Sequence, residues 1–207
     1  MHQKKNFTAG KELNEAKKVL VMVHGRGAFA EDILSLAGYF NLKDFALIAP
    51  QATSNTWYPY SFLMPPKQNE PWLSSALDIL SEVVEDINDA GIVSEQIYFL
   101  GFSQGACLTL EFVTRNARKW GGVIAFTGGL IGDKIYTENY SGGFMNTPVF
   151  IGSSNPDPHV PVERVNATTI VLQNMHADVT TKIYPGMGHT INKDEIEQSN
   201  NLIFNQQ

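Results

Sequence analysis

The stretch Gln96-Ile97-Tyr98-Phe99-Leu100-Gly101-Phe102-Ser103-Gln104-Gly105-Ala106-Cys107-Leu108-Thr109-Leu110-Glu111-Phe112-Val113 decides the fold. Residues 96–100 form a short apolar run of strand type, and Ala106, Leu108, Leu110, Phe112 and Val113 supply the buried positions of a helix running to about Asn116. Between them a serine stands in Gly-x-Ser-x-Gly, at the point where strand turns into helix. A strained turn of this kind projects the serine oxygen above the sheet, and the flanking glycines let strand and helix approach closely. The same five residues in isolation also allow an ordinary glycine-serine turn, a reading that the strand-turn-helix context disfavours.

The rest of the chain repeats the alternation. Lys17 to Gly25 holds Val19, Leu20, Val21, Met22 and Val23 without a break, the pattern of a central strand covered on both faces. Helical spacing follows from Glu31 to Phe40, then a short apolar run from Phe45 to Ile48 that stops at Pro50. Gln51 to Asn69 shows neither period and reads as a long functional loop. Pro71 to Ala90 is the clearest helix, with Leu73, Ala76, Leu77, Leu80, Val83, Val84 and Ile87 on one face and Gly91 as its stop.

Further strands are expected at Val123 to Phe126 and Pro148 to Gly152, joined by a glycine-rich connection. Pro161 to about Ala177 fits a helix, although Thr168 to Leu172 alone favours a strand. Asp178 to Tyr184 reads as a strand. Asn192 with Glu195 makes a capping box for a terminal helix ending near residue 204. Alternating β and α segments predict an α/β fold, a mostly parallel central sheet flanked by helices, with ligands at the carboxyl ends of the strands.

Composition narrows the function classes. The 207 residues are enough for one domain, and 15 Lys and Arg against 21 Asp and Glu give a net charge of -6, which opposes binding to a phosphate backbone. Nucleic acid is therefore not an expected partner. The single cysteine, Cys107, rules out an internal disulfide and multi-cysteine metal patterns, and fits a reducing, cytoplasmic setting. No segment has the apolar length to cross a bilayer or to act as an export signal. The one cysteine near the serine reads as a small core residue.

Two residues later in chain order complete a nucleophilic centre around Ser103. Asp157 follows the strand at 148–151, and His189, in Gly186-Met187-Gly188-His189, follows the strand ending near Tyr184. Neutral imidazole can take the serine proton and return it to a leaving group, while a carboxylate fixes the tautomer. Asp133 is the rival acid. Backbone N–H groups of Gln104, at the helix start, and of Arg26, in His24-Gly25-Arg26-Gly27, are candidate donors to the developing oxyanion.

His24 is read as a structural side chain, His159 as a border of the site, His176 as part of the 161–177 helix, and His2 as mobile. The Arg26 guanidinium is read as solvent-facing, with attraction of an anionic substrate as the alternative. Trp57, Tyr58, Phe62 and Met64 of the long loop, with Gly128 and Met187, are the expected walls of a substrate pocket, Tyr60 standing among the loop aromatics. Gly25 to Ala30 also matches a dinucleotide-binding glycine pattern, but the next strand ends at Gln51 without the carboxylate that pattern needs.

His24-Gly25-Arg26-Gly27, Gly101-Phe102-Ser103-Gln104-Gly105-Ala106, Asp157 before Val160-Pro161, and Gly188-His189 together resemble the phospholipase and carboxylesterase family of α/β-hydrolases, which includes acyl-protein thioesterase-like enzymes. The resemblance spans most of the chain. It implies an α/β-hydrolase domain over 17–207, preceded by an extension or edge segment at 1–16. It also implies hydrolysis of esters or thioesters of small-molecule or acyl substrates through an acyl-enzyme, without metal or cofactor, and leaves a homodimer open. Ala28 and Pro59 depart from positions where many relatives carry an acid, which bears on the natural substrate. The competing reading is a binding module of the same fold without chemistry.

Overall fold

The apolar runs become seven strands of one sheet: β1 (Asn6–Gly10), β2 (Lys18–Val23), β3 (Phe45–Pro50), β4 (Ile97–Phe102), β5 (Gly122–Phe126), β6 (Pro148–Asn155) and β7 (Asp178–Pro185). The structure is a computed structural model, and it describes residues 1–205. Strand order is β1-β3-β2-β4-β5-β6-β7, with β4 in the middle. All neighbours run parallel except β1, which pairs antiparallel with β3 at one edge.

Helices cover both faces: α1 (Ala30–Leu34), α2 (Pro66–Asn69), α3 (Trp72–Asp89), α4 (Gln104–Arg115), α5 (Val162–Asn174) and α6 (Lys193–Ser199). Strand residues alternate between the two sides. Val19, Val21, Phe99, Val123 and Ile151 pack with the apolar faces of α3, α4 and α5. Leu20, Met22, Leu100, Ile124 and Phe150 pack with Ile33 of α1 and with Ile203 and Phe204 beyond α6. Burial on both faces explains why these strands read as unbroken apolar runs rather than alternating ones. A single-domain α/β-hydrolase fold is the result.

Local differences from the sequence reading have local causes. The helix expected over 31–40 is α1 followed by a 3₁₀ turn at Ser35–Tyr39. Ser35 returns its hydroxyl to the Asp32 carbonyl, and Gly38 is a poor helix former. The terminal helix gives way after Ser199 to a wider turn at Asn200–Phe204. There Asn200 accepts from Asn41 N and donates to the Tyr39 carbonyl, tying the turn to the 3₁₀ segment. The loop 51–69 contains a 3₁₀ turn at Thr53–Asn55 and the short α2.

Two histidines differ as well. His176 is not on α5 but just past its end, in the left-handed region at φ 64°. His2 is anchored rather than mobile: its ring bonds to the Trp57 carbonyl and accepts from Thr53 N, between the rings of Trp57 and Trp72.

Two buried side chains tie the strand ends to their loops. Gln104 accepts from Trp57 N at 3.0 Å and donates to the Tyr58 carbonyl at 2.9 Å, stapling the loop 56–58 to the start of α4. At α6, Asn192 Oδ1 accepts from Glu195 N and Glu195 Oε2 accepts from Asn192 N, the reciprocal cap the sequence predicts. Glu195 is fully buried against Gly152 of β6, and its Oε1 has no hydrogen-bond partner among the described residues. Burial pushes its carboxyl up to about 7, against the bond from Asn192 N and with help from the nearby Asp194 charge.

A carboxyl raised in the folded state binds its proton more tightly there than in the unfolded chain, so it costs stability as pH rises from about 4.5 through 7. The full cost is about 3 kcal/mol above that window. Glu195→Gln keeps an acceptor for Asn192 N and removes the titration. In urea unfolding at pH 5 and pH 8, the stability difference should move in the variant's favour at the higher pH, and a pH-independent difference would reject the assignment. Gln104→Ala leaves Trp57 N–H and the Tyr58 carbonyl unpaired in the interior, so it should lose roughly 2 kcal/mol or more in the same assay. Hydrogen exchange should accelerate at the Trp57 amide, and unchanged exchange there would refute the stapling role.

Candidate active site

Ser103 sits between β4 and α4 at φ 55° and ψ −119°, a backbone conformation that side chains other than glycine rarely adopt. Neighbouring glycines make that turn possible. A side chain at Gly101 would collide with the backbone of Gly105 and Ala106, and one at Gly105 would collide with the Val23 and His24 carbonyls at the end of β2. The turn is held by Ser103 N donating to the Phe126 carbonyl at 2.9 Å and by Cys107 N donating to the Ser103 carbonyl at 3.0 Å. Its oxygen is thereby fixed above the carboxyl ends of β4 and β5.

His189 reaches this oxygen from the loop after β7, with Nε2 2.7 Å from Ser103 Oγ. Its Nδ1 lies 2.9 Å from Asp157 Oδ2, in the loop after β6. An ionised Asp157 accepts from Nδ1–H, which leaves Nε2 to accept from the serine hydroxyl. The Asp157 side chain is 0% exposed. Burial pushes its carboxyl up, but donation from His159 N, His189 and Val160 N outweighs this and holds it below the usual carboxylate value. It therefore stays charged at neutral pH. Gly188 N donates to Ser154 Oγ, which fixes the histidine loop on β6.

The rival residues lie elsewhere or are inert. Asp133 is occupied by the Tyr136 hydroxyl on the surface and is not joined to His189. Cys107 is buried, and burial pushes its thiol up to about 12, so it carries a proton at neutral pH. It does reach the cavity wall as well as the core.

Two backbone N–H groups beside the serine, those of Arg26 and Gln104, are spent on no other group among the described residues. Gln104 opens α4, whose first N–H groups have no intrahelical partner. The Arg26 loop is oriented by His24, which is fully buried. Its Nε2 accepts from Ala52 N at 3.1 Å, so Nδ1 carries the hydrogen and donates to the Gly25 carbonyl at 2.7 Å. Fixing that carbonyl fixes the Gly25–Arg26 peptide, and in a trans peptide the Arg26 N–H points the opposite way. Burial lowers the His24 pKa, in keeping with a neutral ring.

Above the serine opens a cavity of ≈ 800 Å³. Of the expected wall residues, Tyr58 and Phe62 line it, together with Arg26, Gln104 and the three residues of the hydrogen-bonded line. Trp57, Met64, Gly128 and Met187 do not. Trp57 is buried behind the wall, its Nε1 donating to the His24 carbonyl. Gly128 packs against Ala106 of α4 so closely that no side chain fits, and the Met187 sulfur accepts from Asn192. Met64 closes a turn to Ser61.

The opposite wall runs from Pro158 to Pro161; sequence reasoning expected His159 there but missed Pro158, Val160 and Pro161, although the Pro-His-Val-Pro run directly after Asp157 is a local signal for them. The Arg26 side chain stands at the mouth of the cavity. The guanidinium is exposed but tied down, donating to Thr56 Oγ1 and the Pro59 and Tyr60 carbonyls at 3.0, 3.0 and 2.7 Å.

Known proteins share this arrangement of chain. Residues 6–205 match the family model for phospholipase/carboxylesterase. A crystal structure of a phospholipase/carboxylesterase from Dyadobacter fermentans is 56% identical, covering 98% of this chain and 97% of that one, with a TM-score of 0.97. Acyl-protein thioesterase 1 of Saccharomyces cerevisiae is 27% identical over 90% of this chain and 91% of its own length. Acyl-protein thioesterase 1 of Gibberella zeae is 34% identical, and there the similarity spans 53% of this chain and 48%, about half, of the relative. With the sheet, the serine turn and the matched length in agreement, the chain belongs to the phospholipase/carboxylesterase family of α/β-hydrolases.

Proposed function

We propose that the protein hydrolyses carboxylic esters, and thioesters by the same route, through an acyl-enzyme on Ser103. The observation that carries this reading is the Ser103–His189–Asp157 line, at 2.7 and 2.9 Å, in a cavity beside two unspent N–H groups. His189 Nε2 takes the Ser103 proton as the oxygen attacks the carbonyl, and the tetrahedral oxyanion is met by the Arg26 and Gln104 N–H groups. The imidazolium, stabilised by the charged Asp157, gives its proton to the departing alkoxide or thiolate. Water then enters, loses a proton to His189 and displaces the acid, restoring the Ser103 hydroxyl. A cytoplasmic setting belongs to the same reading and rests on the single buried thiol.

Ser103→Ala should lower kcat/KM for short aryl esters by about 10³-fold or more while leaving the fold intact. A fluorophosphonate should add once, on Ser103, by intact-protein mass spectrometry. A folded wild-type protein that neither turns over esters nor takes the label, yet binds ester analogues, would establish the binding-module reading instead.

The acid is tested by a pair of variants. Asp157→Asn removes the charge that orients His189 and should cost on the order of 10³–10⁴-fold in kcat. Asp133→Asn, at the surface, should leave kcat within about twofold. The reverse ranking would overturn the assignment.

A further inference from the structure

The cavity contains a cation, Arg26, with no counter-charge among the described residues. Arg26 is held by three oxygens, Thr56 Oγ1 and the Pro59 and Tyr60 carbonyls, and all three are uncharged. Among the described residues no carboxylate lies within ion-pair distance of it. These bonds use three of the five guanidinium N–H groups, so two remain for a ligand, in an orientation already fixed. Rigid placement removes much of the entropy cost of engaging a long side chain.

The remaining charges of the cavity favour the same sign of ligand. Its one carboxylate, Asp157, is buried and occupied by His189 and by the His159 and Val160 N–H groups. His159 is exposed on the cavity wall, 4.8 Å between ring centroids from His189. Tyr58 lies 5.9 Å beneath the Arg26 guanidinium carbon. In a chain of net charge -6, a mouth presenting an arginine without a free acid is a local reversal of sign.

We propose that the preferred ester carries an anionic group, a carboxylate or a phosphate, which the Arg26 guanidinium grips while the ester carbonyl lies at Ser103. This rests on the esterase reading and deepens it by naming the substrate class. Charge-assisted, forked donation to an oxyanion is the interaction an unpaired guanidinium makes best. Uncharged esters then bind through the apolar wall alone.

The test uses pairs of esters alike except for charge. On the acyl side, 4-nitrophenyl hydrogen adipate is compared with 4-nitrophenyl adipamate. On the alcohol side, 4-(2-carboxyethyl)phenyl butanoate is compared with its carboxamide. The wild type should prefer the carboxylate by tenfold or more in kcat/KM in one of the pairs, and that preference should shrink as salt rises. Arg26→Gln should bring the ratio to within about twofold, whatever it does to the uncharged member. Because the readout is a ratio, a role of Arg26 confined to holding the loop 56–60 would lower both members together and leave the ratio as in wild type, which would overturn the proposal.

Where Arg26→Gln does not fold, inhibition of the wild type by adipate against adipamide decides in its place, and equal inhibition overturns the proposal. Inhibition by an alkyl phosphate of matched length against adipate tells which anion is preferred. Turnover of all four esters without any charge preference would sink this proposal alone. Absence of turnover together with absence of fluorophosphonate labelling would sink the esterase reading beneath it.

Discussion

Everything at the site depends on one backbone constraint: Ser103 is held at φ 55° and ψ −119°, where a residue with a side chain is strained by about 1–3 kcal/mol. Such a conformation survives only if its surroundings leave no alternative. Here the surroundings are the two hydrogen bonds that pin the turn and the near-contact of Gly105 with the end of β2. Because α4 begins immediately after the serine, the turn also delivers the Gln104 N–H beside its oxygen. One strained residue thus sets the positions of an alcohol and of a donor at once.

A second constraint couples the Arg26 loop to the cavity wall. His24, buried at the end of β2, bonds at one nitrogen to the Gly25 carbonyl and at the other to Ala52 N, while the Trp57 indole N–H donates to the His24 carbonyl. Gln104 bonds to the next peptides of the same loop, and His2 closes the far side. The loop 51–62 has little regular structure, yet its polar groups are tied to β2, to α4 and to the amino terminus. That is why a loop without either period can still form a fixed wall, since buried backbone groups must find partners somewhere.

These two constraints explain what could be read from the sequence. The sheet was legible because strands buried on both faces leave unbroken apolar runs, and the turn at Ser103 because close backbone approach demands glycine at 101 and 105. The positions of Asp157 and His189 above the same edge as Ser103 followed from the order of β segments, since parallel strands bring their carboxyl ends together. The cavity wall was less legible. Trp57 and Met64 are apolar members of the loop, as Tyr58 and Phe62 are, but which of them faces a cavity depends on hydrogen bonds such as Trp57 to His24, made across long sequence separation. Local pattern carries no trace of these. The break of the first helix at Ser35 and of the last at Asn200 came from side chains bonding to backbone, which periodicity does not register.

The same distinction separates reaction from selectivity. The Ser103–His189–Asp157 geometry rests on backbone positions and on groups that any carbonyl substrate would meet, so it says little about which ester enters. Selectivity must come from side chains whose interactions are not consumed by the fold. Glu111 is buried but satisfied, accepting from Ile131 N, the Tyr140 hydroxyl and Arg115. Asp157 is likewise satisfied, and Gln104 has both ends of its amide occupied. Among the charged residues of the cavity, Arg26 differs from these in being fixed in place yet left with an uncompensated charge. The three neutral oxygens that hold its guanidinium satisfy its geometry but leave its charge without a counter-charge inside the described residues. The charge is therefore informative about what arrives from outside.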